Sequence, residues 1–500
     1  MPTNPVLGID FGTTNTKAAW IDHKGTLHVV PVSERSHILP SVVWFKARDR
    51  YVVGAEALRM VIDDPRNTIH APKRFIGRPF RSHFVSHARE RFSYDIVEGE
   101  GGKAAVMVHG QAVGFTEIAF NVIHRMVELA NAAAGEDFDE CVLTVPAHFG
   151  YSQRQALRAA AEMGGLDVRG IVNEPTAAAL YTAKKRGIEQ TILVYDLGGG
   201  TFDISLVAIR GSLVLVLASG GDPFLGGSDF DEQIARRLVE RFENQHGVEV
   251  QNNRTLMQRV IFAAERAKIE LSTAEQSTIR VPMLAYKGTQ PLDFEHALTR
   301  DALELLTSNL IEKTLGASEQ LVRKAGMAPP DIDELVFVGG QTRMLALQRR
   351  MAAAFRSDPG KNINPELGVA VGAAILGRGL GMPGGPDLVD VVSIPIGVII
   401  PGLGSTEVIP RNTGIPCVRR TTIQQLPALG NPLVVGVYEA VDAQSVDREF
   451  LGSLRIEAGW LAQHAGELTL ELKLDQDFDL TALVTSADGA SLDLKLQAPR

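Results

Sequence analysis

The spacing of hydrophobic positions changes along the chain and divides it into two regions. Up to about residue 377, short apolar runs typical of strands alternate with helical periodicity, for example over 118–134, 152–163 and 229–244. This alternation is typical of an α/β fold. Beyond about residue 390, short alternating runs such as LVVGVY and ELTLELKLD follow one another with turn residues between them, and no further helical pattern occurs. The second region is therefore predicted to be an antiparallel all-β domain.

A glycine- and proline-rich stretch, GRGLGMPGGPD, separates the two regions. Three of its glycines match the spacing GxGxxG, but a dinucleotide fingerprint needs a strand before it and a helix after it. Here the match follows a helical pattern and leads into prolines, so we interpret the stretch as a linker. The expected domains cover 1–378 and 391–500, joined by a linker over 379–390.

Composition and charge narrow the class of protein. Five hundred residues exceed what one hydrophobic core usually supports, and a net charge of -9 argues against binding to a nucleic-acid backbone. The two cysteines, Cys141 and Cys417, lie far apart in sequence and suit a reducing compartment. The N-terminus lacks the pattern of a secretory signal, and the longest apolar run is too short to span a bilayer. We therefore expect a cytoplasmic protein that binds neither nucleic acid nor membrane.

An internal repeat carries the candidate chemistry. VLGIDFGTTNTKAAWI and ILVYDLGGGTFDISLVA share one plan, in which an apolar strand ends in an aspartate, Asp10 or Asp196, and a glycine–threonine turn leads into a second strand. Glycines let backbone N–H groups approach an anion, and the aspartates suit a hydrated Mg²⁺ that bridges phosphate oxygens. A single copy is as compatible with an ordinary hairpin as with a phosphate-binding turn. Two copies predict duplicated halves that face each other across a phosphate-binding cleft.

Two further features bear on this cleft. The P-loop pattern GxxxxGK[ST] does not occur, so that route to phosphate binding is absent from the sequence. A third strand–glycine turn, LVFVGGQTRM, offers the planar guanidinium of Arg343 for stacking on a nucleoside. Alone this turn is a weak signal, because strand–glycine–helix junctions are common.

The motifs taken together resemble the DnaK-type, seventy-kilodalton heat-shock chaperones. IDFGTTN, APKRFIG, VPAHF, NEPTAAAL, VYDLGGGTFDIS, AAERAKIELS and VGGQTRM occur in the order of that family, over essentially all of 4–378 and more weakly to about 497. The resemblance implies a duplicated actin-like (ribonuclease H-like) ATPase domain followed by an all-β peptide-binding sandwich. It also implies ATP, Mg²⁺ and K⁺ as cofactors.

The resemblance assigns catalytic and metal-binding roles. It implies a catalytic set of Asp10, Lys73, Glu174, Asp196 and Thr201, and a metal-binding set of Asp10, Asp196 and Asp203. In the family the matching lysine positions the attacking water and stabilises charge on the γ-phosphate, which suits phosphoryl transfer. From its neighbours in the sequence alone, Lys73 is one charge in a basic stretch, and a lysine in such a stretch is more often a solvated surface residue than a catalytic one.

The implied nucleotide contacts come from several segments. They are Gly12, Thr13, Thr14, Asn15, Gly198, Gly199, Gly200, Thr201, Gly226, Gly227, Glu265, Lys268, Ser272, Gly340 and Arg343. The spacing of Glu265, Lys268 and Ser272 places them along one helix face, as contacts to adenine and ribose require, but the same spacing is that of any charged helix face.

The resemblance also assigns roles outside the cleft. Residues implied to relay the nucleotide state to the second domain are Pro146, Arg154, Glu174 and Asp390. Positions that match the peptide groove are Val398, Ile400, Ile423, Leu426, Leu433 and Val435. Apolar walls bind aliphatic side chains of an extended peptide, although the same residues are nearly as easily the core of the sandwich.

The chain departs from the family in three places. The family's C-terminal helical lid is expected to be missing, the apolar interdomain linker is reduced to Asp-Leu-Val-Asp at 387–390, and Gly170 replaces an arginine that helps recruit J-domain co-chaperones, although Arg169 is adjacent. A lidless groove would exchange peptide quickly, and a weaker linker puts interdomain coupling in doubt.

The leading hypothesis is an ATP-dependent chaperone in which ATP binding and hydrolysis control the affinity for exposed apolar peptides. A J-domain co-chaperone and a nucleotide exchange factor are expected as partners, and the chain is expected to be a monomer. The alternative is a lidless, ATP-switched binding protein that serves a dedicated partner. Other actin-like ATPases, such as filament formers and sugar kinases, are disfavoured because they lack NEPTAAAL, ERAKIELS and the appended β domain.

Overall fold

The computed structural model describes residues 5–186, 189–357, 364–380, 387–402, 404–424, 430–440, 448–464 and 466–497. The first half of the α/β region contains β1 (Leu7–Phe11), β2 (Asn15–Ile21), β3 (Leu27–Val29), β4 (Leu39–Pro40), β5 (Val42–Ala47), β6 (Arg50–Val53), α1 (Ala55–Asp63), β7 (Thr68–His70), η1 (Pro72–Arg74), α2 (His83–Ala88), η2 (Arg89–Arg91), β8 (Ile96–Glu98), η3 (Glu100–Gly102), β9 (Ala104–Val108), β10 (Gln111–Gly114), α3 (Phe115–Ala134), β11 (Glu140–Val145), α4 (Tyr151–Glu162), β12 (Asp167–Asn173) and α5 (Glu174–Arg186).

The second half of this region contains β13 (Gln190–Leu197), β14 (Phe202–Arg210), β15 (Leu213–Asp222), α6 (Gly227–His246), α7 (Arg254–Glu270), β16 (Gln276–Lys287), β17 (Gln290–Thr299), α8 (Arg300–Lys324), η4 (Pro329–Asp331), β18 (Glu334–Val338), η5 (Gly340–Arg343), α9 (Leu345–Phe355) and α10 (Gly368–Gly379). The helices predicted over 118–134, 152–163 and 229–244 are confirmed as α3, α4 and α6.

The C-terminal region begins with β19 (Asp387–Val391) and continues with β20 (Ile396–Ile400), β21 (Gly404–Ile409), β22 (Gly414–Ile415), β23 (Cys417–Ile423), β24 (Leu433–Ala440), β25 (Arg448–Ile456), α11 (Ala458–Gln463), β26 (Leu468–Leu474), β27 (Leu480–Ser486) and β28 (Ser491–Leu494). The expectation of no helix beyond residue 390 is wrong at α11. This helix has six residues, which is too short to show helical periodicity, and it packs Trp460 and Leu461 on the sandwich core.

The two halves of the α/β region repeat one sheet plan. In the first half the central strand β1 pairs in parallel with β11 and antiparallel with β2, and β12 and β3 extend this sheet. In the second half β13 pairs in parallel with β18 and antiparallel with β14, and β15 follows β14. The predicted duplicated α/β fold is thereby confirmed.

Helices α5 and α10 pack against each other and connect the cores of the two halves. Their close approach depends on Gly372, where a Cβ atom would lie 1.7 Å from the carbonyl oxygen of Ala177. Apolar side chains from β11, β13, β14, β15, β18 and both helices form one buried cluster around this crossing. The strand ends that carry the glycine–threonine turns are thus held on a rigid base.

The opening between the halves is bridged by charged and aromatic pairs. Arg91 of η2 contacts Asp229 of α6 at 2.8 Å and also pairs with Glu232, and Arg74 lies 3.5 Å from Asp229. The rings of Phe84 and Phe224 meet with their centroids 5.1 Å apart. These contacts link the two halves across the opening.

The C-terminal region is a β-sandwich, which confirms the predicted all-β domain. One sheet has the order β21-β20-β24-β25 and the other β23-β26-β27-β28, and the apolar faces of both enclose a common core. Among the described residues, no helix combines the length and the apolar character that crossing a bilayer requires.

Strand β19 joins the sandwich to the α/β region. It extends the second-half sheet by pairing in parallel with β15, so that Leu388 lies opposite Val214. On its other side it pairs with β22 through Asp390 and Ile415. The sequence suggested weak docking of this segment, because it carries few apolar side chains. The structure docks it as a strand, since pairing of backbone groups does not depend on side chains. Residues 381–386 of the expected linker lie outside the described residues.

Candidate nucleotide site

The two glycine–threonine turns lie directly against each other. A Cβ atom at Gly199 would lie 1.9 Å from the hydroxyl oxygen of Thr14, so only glycine permits this approach. Between the turns lies a cavity of about 70 Å³. Predicted site residues that line it are Asp10, Gly12, Thr13, Thr14, Asn15, Lys73, Glu174, Asp196, Gly198, Gly199, Thr201 and Gly340. Side chains and backbone from both halves therefore converge on one polar cavity, as the repeat predicted.

Four carboxylates concentrate negative charge in and around this cavity. Burial, followed by the charges of Glu174 and Asp203, raises the pKa of Asp196 well above its ordinary value. Burial also raises the pKa of Glu174 to about 7, although the neighbouring ammonium of Lys73 opposes this shift. Asp10 is the fourth carboxylate and is buried as well. Such crowding of carboxylates shifts their pKa values and is characteristic of functional sites.

Lys73 lies where the resemblance placed it. It belongs to η1, its side chain is 3 % exposed, and its ammonium donates a hydrogen bond to Glu174 at the start of α5. The ammonium also lies 5.6 Å from the centroid of the Phe149 ring. Lys73 is therefore not a solvated surface lysine, and its charge is fixed inside the cavity.

Lys17 is a cleft residue that the sequence analysis missed. It lies opposite Asp10 in the β1–β2 hairpin, and its Nζ donates a hydrogen bond to Asp10 Oδ2 at 2.8 Å. Burial disfavours its charged form, but the charge and hydrogen bond of Asp10 and the charges of Glu174 and Asp196 outweigh this and raise the pKa of Lys17. The hairpin register provides the available signal, because a residue seven positions after Asp10 returns to face it.

His148 is a second residue that the sequence analysis missed. Its backbone N–H donates to Asp203 Oδ1 at 3.3 Å, and its Nδ1 lies 2.9 Å from the same oxygen. Asp203 faces Asp196 across the β13–β14 hairpin. His148 thus holds one oxygen of Asp203 and leaves the other available. No local pattern indicates this contact, because it joins the loop after β11 to β14.

The third glycine segment packs on the second turn. The N–H of Gly227 donates to the carbonyl of Gly198 at 2.8 Å, and Gly226 precedes it as the N-cap of α6. Lys268 of α7 is buried and contacts both the Gly227 carbonyl at 3.0 Å and Asp231 at 2.9 Å. Lys268 therefore stabilises the segment at Gly226 and Gly227, which packs on the second glycine–threonine turn. Gly200 belongs to that second turn.

The remaining predicted nucleotide residues lie along the second half. Glu265 is one turn before Lys268 on α7, where burial raises its pKa, and Ser272 follows the end of that helix. Gly340 begins η5, and Arg343 at its end pairs with Glu366 at 2.5 Å. About half of the Arg343 side chain is exposed, so its guanidinium presents a face to solvent beside the cleft. Their roles as adenine and ribose contacts stay predictions.

Residues predicted to relay the nucleotide state lie between the cavity and the sandwich. Pro146 follows β11. Arg154 of α4 donates from Nε to the Phe149 carbonyl at 3.0 Å and from Nη2 to Asn173 Oδ1 at 2.6 Å, next to Glu174. Asp390 of β19 is buried and accepts a hydrogen bond from the Thr176 hydroxyl at 3.0 Å. These contacts connect the start of α5 to the linker strand.

The sandwich contacts α4 and β12 directly. Both carboxylate oxygens of Glu439 accept from the N–H of Tyr151 at 3.0 Å. Gln155 donates to Asp479 at 2.6 Å, the N–H of Ile171 donates to Asp477 at 3.3 Å, and the Arg154 guanidinium lies 3.8 Å from the centroid of the Phe478 ring. The sandwich is thus docked on the α/β region through polar contacts that are partly buried.

The positions predicted for a peptide groove lie in the sandwich core. Val398, Ile400, Ile423, Leu433 and Val435 are each at most 3 % exposed and belong to one cluster. Leu426 lies outside the described residues. The structure therefore places these side chains where the core interpretation expected them, and their contact with peptide stays a prediction.

Comparison with known proteins supports the assignment that the geometry suggests. The family described as "Hsp70 protein" matches residues 6–493. "Chaperone protein DnaK" of Thermotoga neapolitana is 38 % identical over 491 residues, which cover 97 % of this chain and 78 % of that protein. The protein of the same name from Thermotoga petrophila is 37 % identical with the same coverage, and that from Buchnera aphidicola is 35 % identical over 489 residues, covering 97 % and 76 %. The chain therefore belongs to the Hsp70 family of ATP-dependent molecular chaperones and is an ATPase.

Proposed function

We propose that the cavity between the two turns is the site at which this chain hydrolyses ATP, and that the nucleotide state sets the affinity of the sandwich for extended apolar peptides. The observation that carries the proposal is the convergence of two backbone turns, three carboxylates and the buried Lys73 on one cavity, with Asp203 opposite one of those carboxylates, Asp196. Backbone N–H groups and the hydroxyls of Thr13, Thr14 and Thr201 supply donors to phosphate oxygens. Positioned donors and charges are what phosphoryl transfer needs.

Mg²⁺ fits the donor set of this cavity. Asp196 and Asp203 face each other in one hairpin, carboxylate oxygens are the ligands that Mg²⁺ prefers, and their crowding favours a divalent cation. We infer that these residues hold the ion, with Asp10 close by. When bound, Mg²⁺ supplies positive charge to the phosphate oxygens.

K⁺ fits less well beside Asp10. The Oδ2 atom of Asp10 already accepts from Lys17 at 2.8 Å, and its Oδ1 atom lies 3.4 Å from the Thr144 hydroxyl. Both oxygens that could bind a monovalent cation therefore have donors of the protein itself.

Lys73 performs the charge-stabilising part of the reaction. Its ammonium is buried, fixed by Glu174 and free of competition from bulk water, so its interaction with a developing negative charge is strengthened. His148 holds one oxygen of Asp203, and we infer that this carboxylate positions the water that attacks the phosphate. We infer that Thr201 holds a phosphate oxygen.

Coupling to the sandwich uses the loop after β11, the start of α5 and strand β19. His148 contacts the cleft, and Tyr151, three residues later, contacts Glu439 of the sandwich. A displacement of the loop after β11, where His148 contacts Asp203, would therefore also displace the contact between Tyr151 and Glu439. We propose domain boundaries at 1–378 and 391–500, with peptide bound by the sandwich positions named above.

Family membership supports a proposal about the partners. We propose that a J-domain co-chaperone and a nucleotide exchange factor regulate the cycle of a monomeric, cytoplasmic chain. Arg169, the candidate contact for a J-domain, lies on β12 and pairs with Glu140 at 2.9 Å, and neighbouring Gly170 faces Asp477 of the sandwich. A J-domain bound there would sit beside the domain interface.

Single-turnover ATP hydrolysis by the wild type and the variant Lys73→Ala tests the proposal. Loss of one fixed charge that stabilises the transition state lowers turnover by about 10²–10³-fold. ATP affinity, measured by calorimetry, should change far less, because backbone donors of the turns are retained. Lys24→Ala, which changes an exposed lysine in the turn after β2, is the matched control.

The chaperone part of the proposal is tested with a short apolar peptide and with a J-domain protein. Each should increase the turnover of the wild type. Turnover that is indifferent to peptide, or a Lys73→Ala variant with wild-type turnover, would contradict the proposal.

A further inference from the structure

The two nucleotide hairpins differ at one position of their shared plan. In the second hairpin Asp196 lies opposite Asp203, so two carboxylates face each other across β13 and β14. In the first hairpin Asp10 lies opposite Lys17 across β1 and β2. Both partners are the seventh residue after the aspartate. The two hairpins therefore differ: the second has two carboxylates facing each other, and the first has a carboxylate facing an ammonium.

Lys17 is built into the cleft. Its side chain is 13 % exposed, and its ammonium is 2.8 Å from Asp10 Oδ2. It lines the same cavity as Thr13, Thr14 and Lys73. An ammonium has three donors, and the contact with Asp10 uses one of them. The other two donors are available to acceptors in the cavity that Lys17 lines.

Acidic groups surround the Lys17 ammonium. It pairs with Asp10, and Glu174 and Asp196 line the same cavity. Lys73 is directed at Glu174, so its charge compensates a different carboxylate. Without Lys17, the buried carboxylate of Asp10 would keep, among the described residues, only the Thr144 hydroxyl as a side-chain partner at 3.4 Å, and burial of an unpaired charge is costly.

We propose that the Lys17 ammonium is a fixed monovalent cation of the nucleotide cleft, which neutralises Asp10 and donates to phosphate oxygens, so that ATP hydrolysis by this chain does not need K⁺. The proposal rests on the cleft being the ATP site. A compact, strongly hydrated ammonium has the charge and donor geometry to replace a monovalent ion on a carboxylate oxygen.

The wild type tests this directly. Single-turnover hydrolysis and ATP affinity are measured in potassium chloride and in choline chloride of equal ionic strength, with Mg²⁺ present throughout. Equal ionic strength removes differences in screening, so the remaining effect belongs to potassium itself. We expect both quantities to change by less than about twofold, because the required charge is part of the chain.

The variant Lys17→Gln supplies the second arm. Loss of a charged donor should lower turnover in choline by about tenfold or more, and potassium should restore part of that loss. Potassium should also raise the ATP affinity and the melting temperature of Lys17→Gln, but not of the wild type. Lys17→Arg, which keeps the charge, should stay insensitive to potassium, and Lys24→Gln is the control for an exposed lysine.

The possible results distinguish the proposed role of Lys17 from the proposal that the cleft hydrolyses ATP. A wild type that loses most of its activity in choline, or a Lys17→Gln variant with full activity there, overturns the role of Lys17. If Lys17→Gln does not fold, the wild-type comparison alone still decides. A wild type that binds and hydrolyses no ATP in either salt contradicts the proposed function instead.

Discussion

At the scale of single residues, side chains outside the proposed set of nucleotide contacts hold residues of the cleft in place. His148 is the clearest case, because its backbone N–H and its Nδ1 both bind Asp203 Oδ1. We expect His148→Ala to lower single-turnover hydrolysis by about tenfold or more, since a hydrogen bond to a charged group contributes about 1.5–3 kcal/mol. ATP affinity should change less, because Asp203 keeps its backbone position.

A conservative variant distinguishes positioning from general damage. His148→Asn keeps a side-chain donor near the Nδ1 position and should recover much of the turnover. His87→Ala, on the exposed face of α2, is a matched control that should behave as the wild type. Equal loss in His148→Ala and His148→Asn would mean that the contact with Asp203 is not what matters.

The cleft residues differ in how far the sequence predicts them. The turns around Asp10 and Asp196 were predictable, because a glycine–threonine turn after an apolar strand is local chemistry, and its repetition implied a cleft. Lys17 was also visible, but its contact with Asp10 follows from the hairpin register and not from its own neighbours. His148 had no local signal, since only tertiary packing brings it to Asp203.

At the scale of elements, β19 shows that a linker with few apolar residues can dock by its backbone. Leu388 is half-buried beside the apolar cluster around α5 and α10. We expect Leu388→Asp to weaken docking by about tenfold or more, because it replaces a buried apolar group by a charge. Basal hydrolysis should persist while stimulation by peptide is lost, as measured by steady-state ATPase assays with and without an apolar peptide.

Asp387→Asn on the same strand is the control, because its side chain is exposed and the backbone pairing with Leu213 is unchanged. Retained peptide stimulation in Leu388→Asp would show that β19 is not part of the coupling path.

Helices were predictable where the periodic spacing of apolar residues extended over several turns. Helices α3, α4 and α6 show several turns of apolar spacing, whereas α11 has six residues and was missed. For the sandwich, alternation showed strands but did not distinguish a groove wall from a core position, because both require an apolar residue. The burial of Val398 and Leu433 depends on how the two sheets pack, which no single strand encodes.

At the scale of the whole molecule, domain docking buries an acid whose protonation depends on pH. Glu439 of β24 lies against the N-terminus of α4, and burial, together with the neighbouring Glu449, raises its pKa to about 8, while the N–H of Tyr151 and the charge of Arg154 oppose the shift. Glu449, on β25, has a raised pKa through burial as well and faces Arg78 and Lys103. An undocked glutamate has a pKa near its ordinary value of about 4.3.

Docking therefore takes up a proton between those two pKa values. Below about pH 4.3 both states are protonated, and docking has its full stability. As the pH rises toward about 8, Glu439 ionises in the undocked state but stays largely protonated in the docked state. The free energy of docking therefore becomes less favourable by up to about 1.4 kcal/mol per pH unit for this one proton. We expect the domains to separate progressively as the pH is raised from 6 to 8.5, which the radius of gyration from small-angle X-ray scattering measures in the presence of a fixed nucleotide.

Glu439→Gln isolates the group responsible for this dependence. The amide is neutral at every pH and its Oε1 atom still accepts from the N–H of Tyr151, so docking should persist at high pH and vary much less with pH. A smaller residual slope would belong to Glu449. Glu457→Gln, an exposed sandwich residue before α11, should keep the wild-type profile. If the wild type is equally compact at both ends of the range, or Glu439→Gln retains the full slope, protonation of Glu439 does not govern docking.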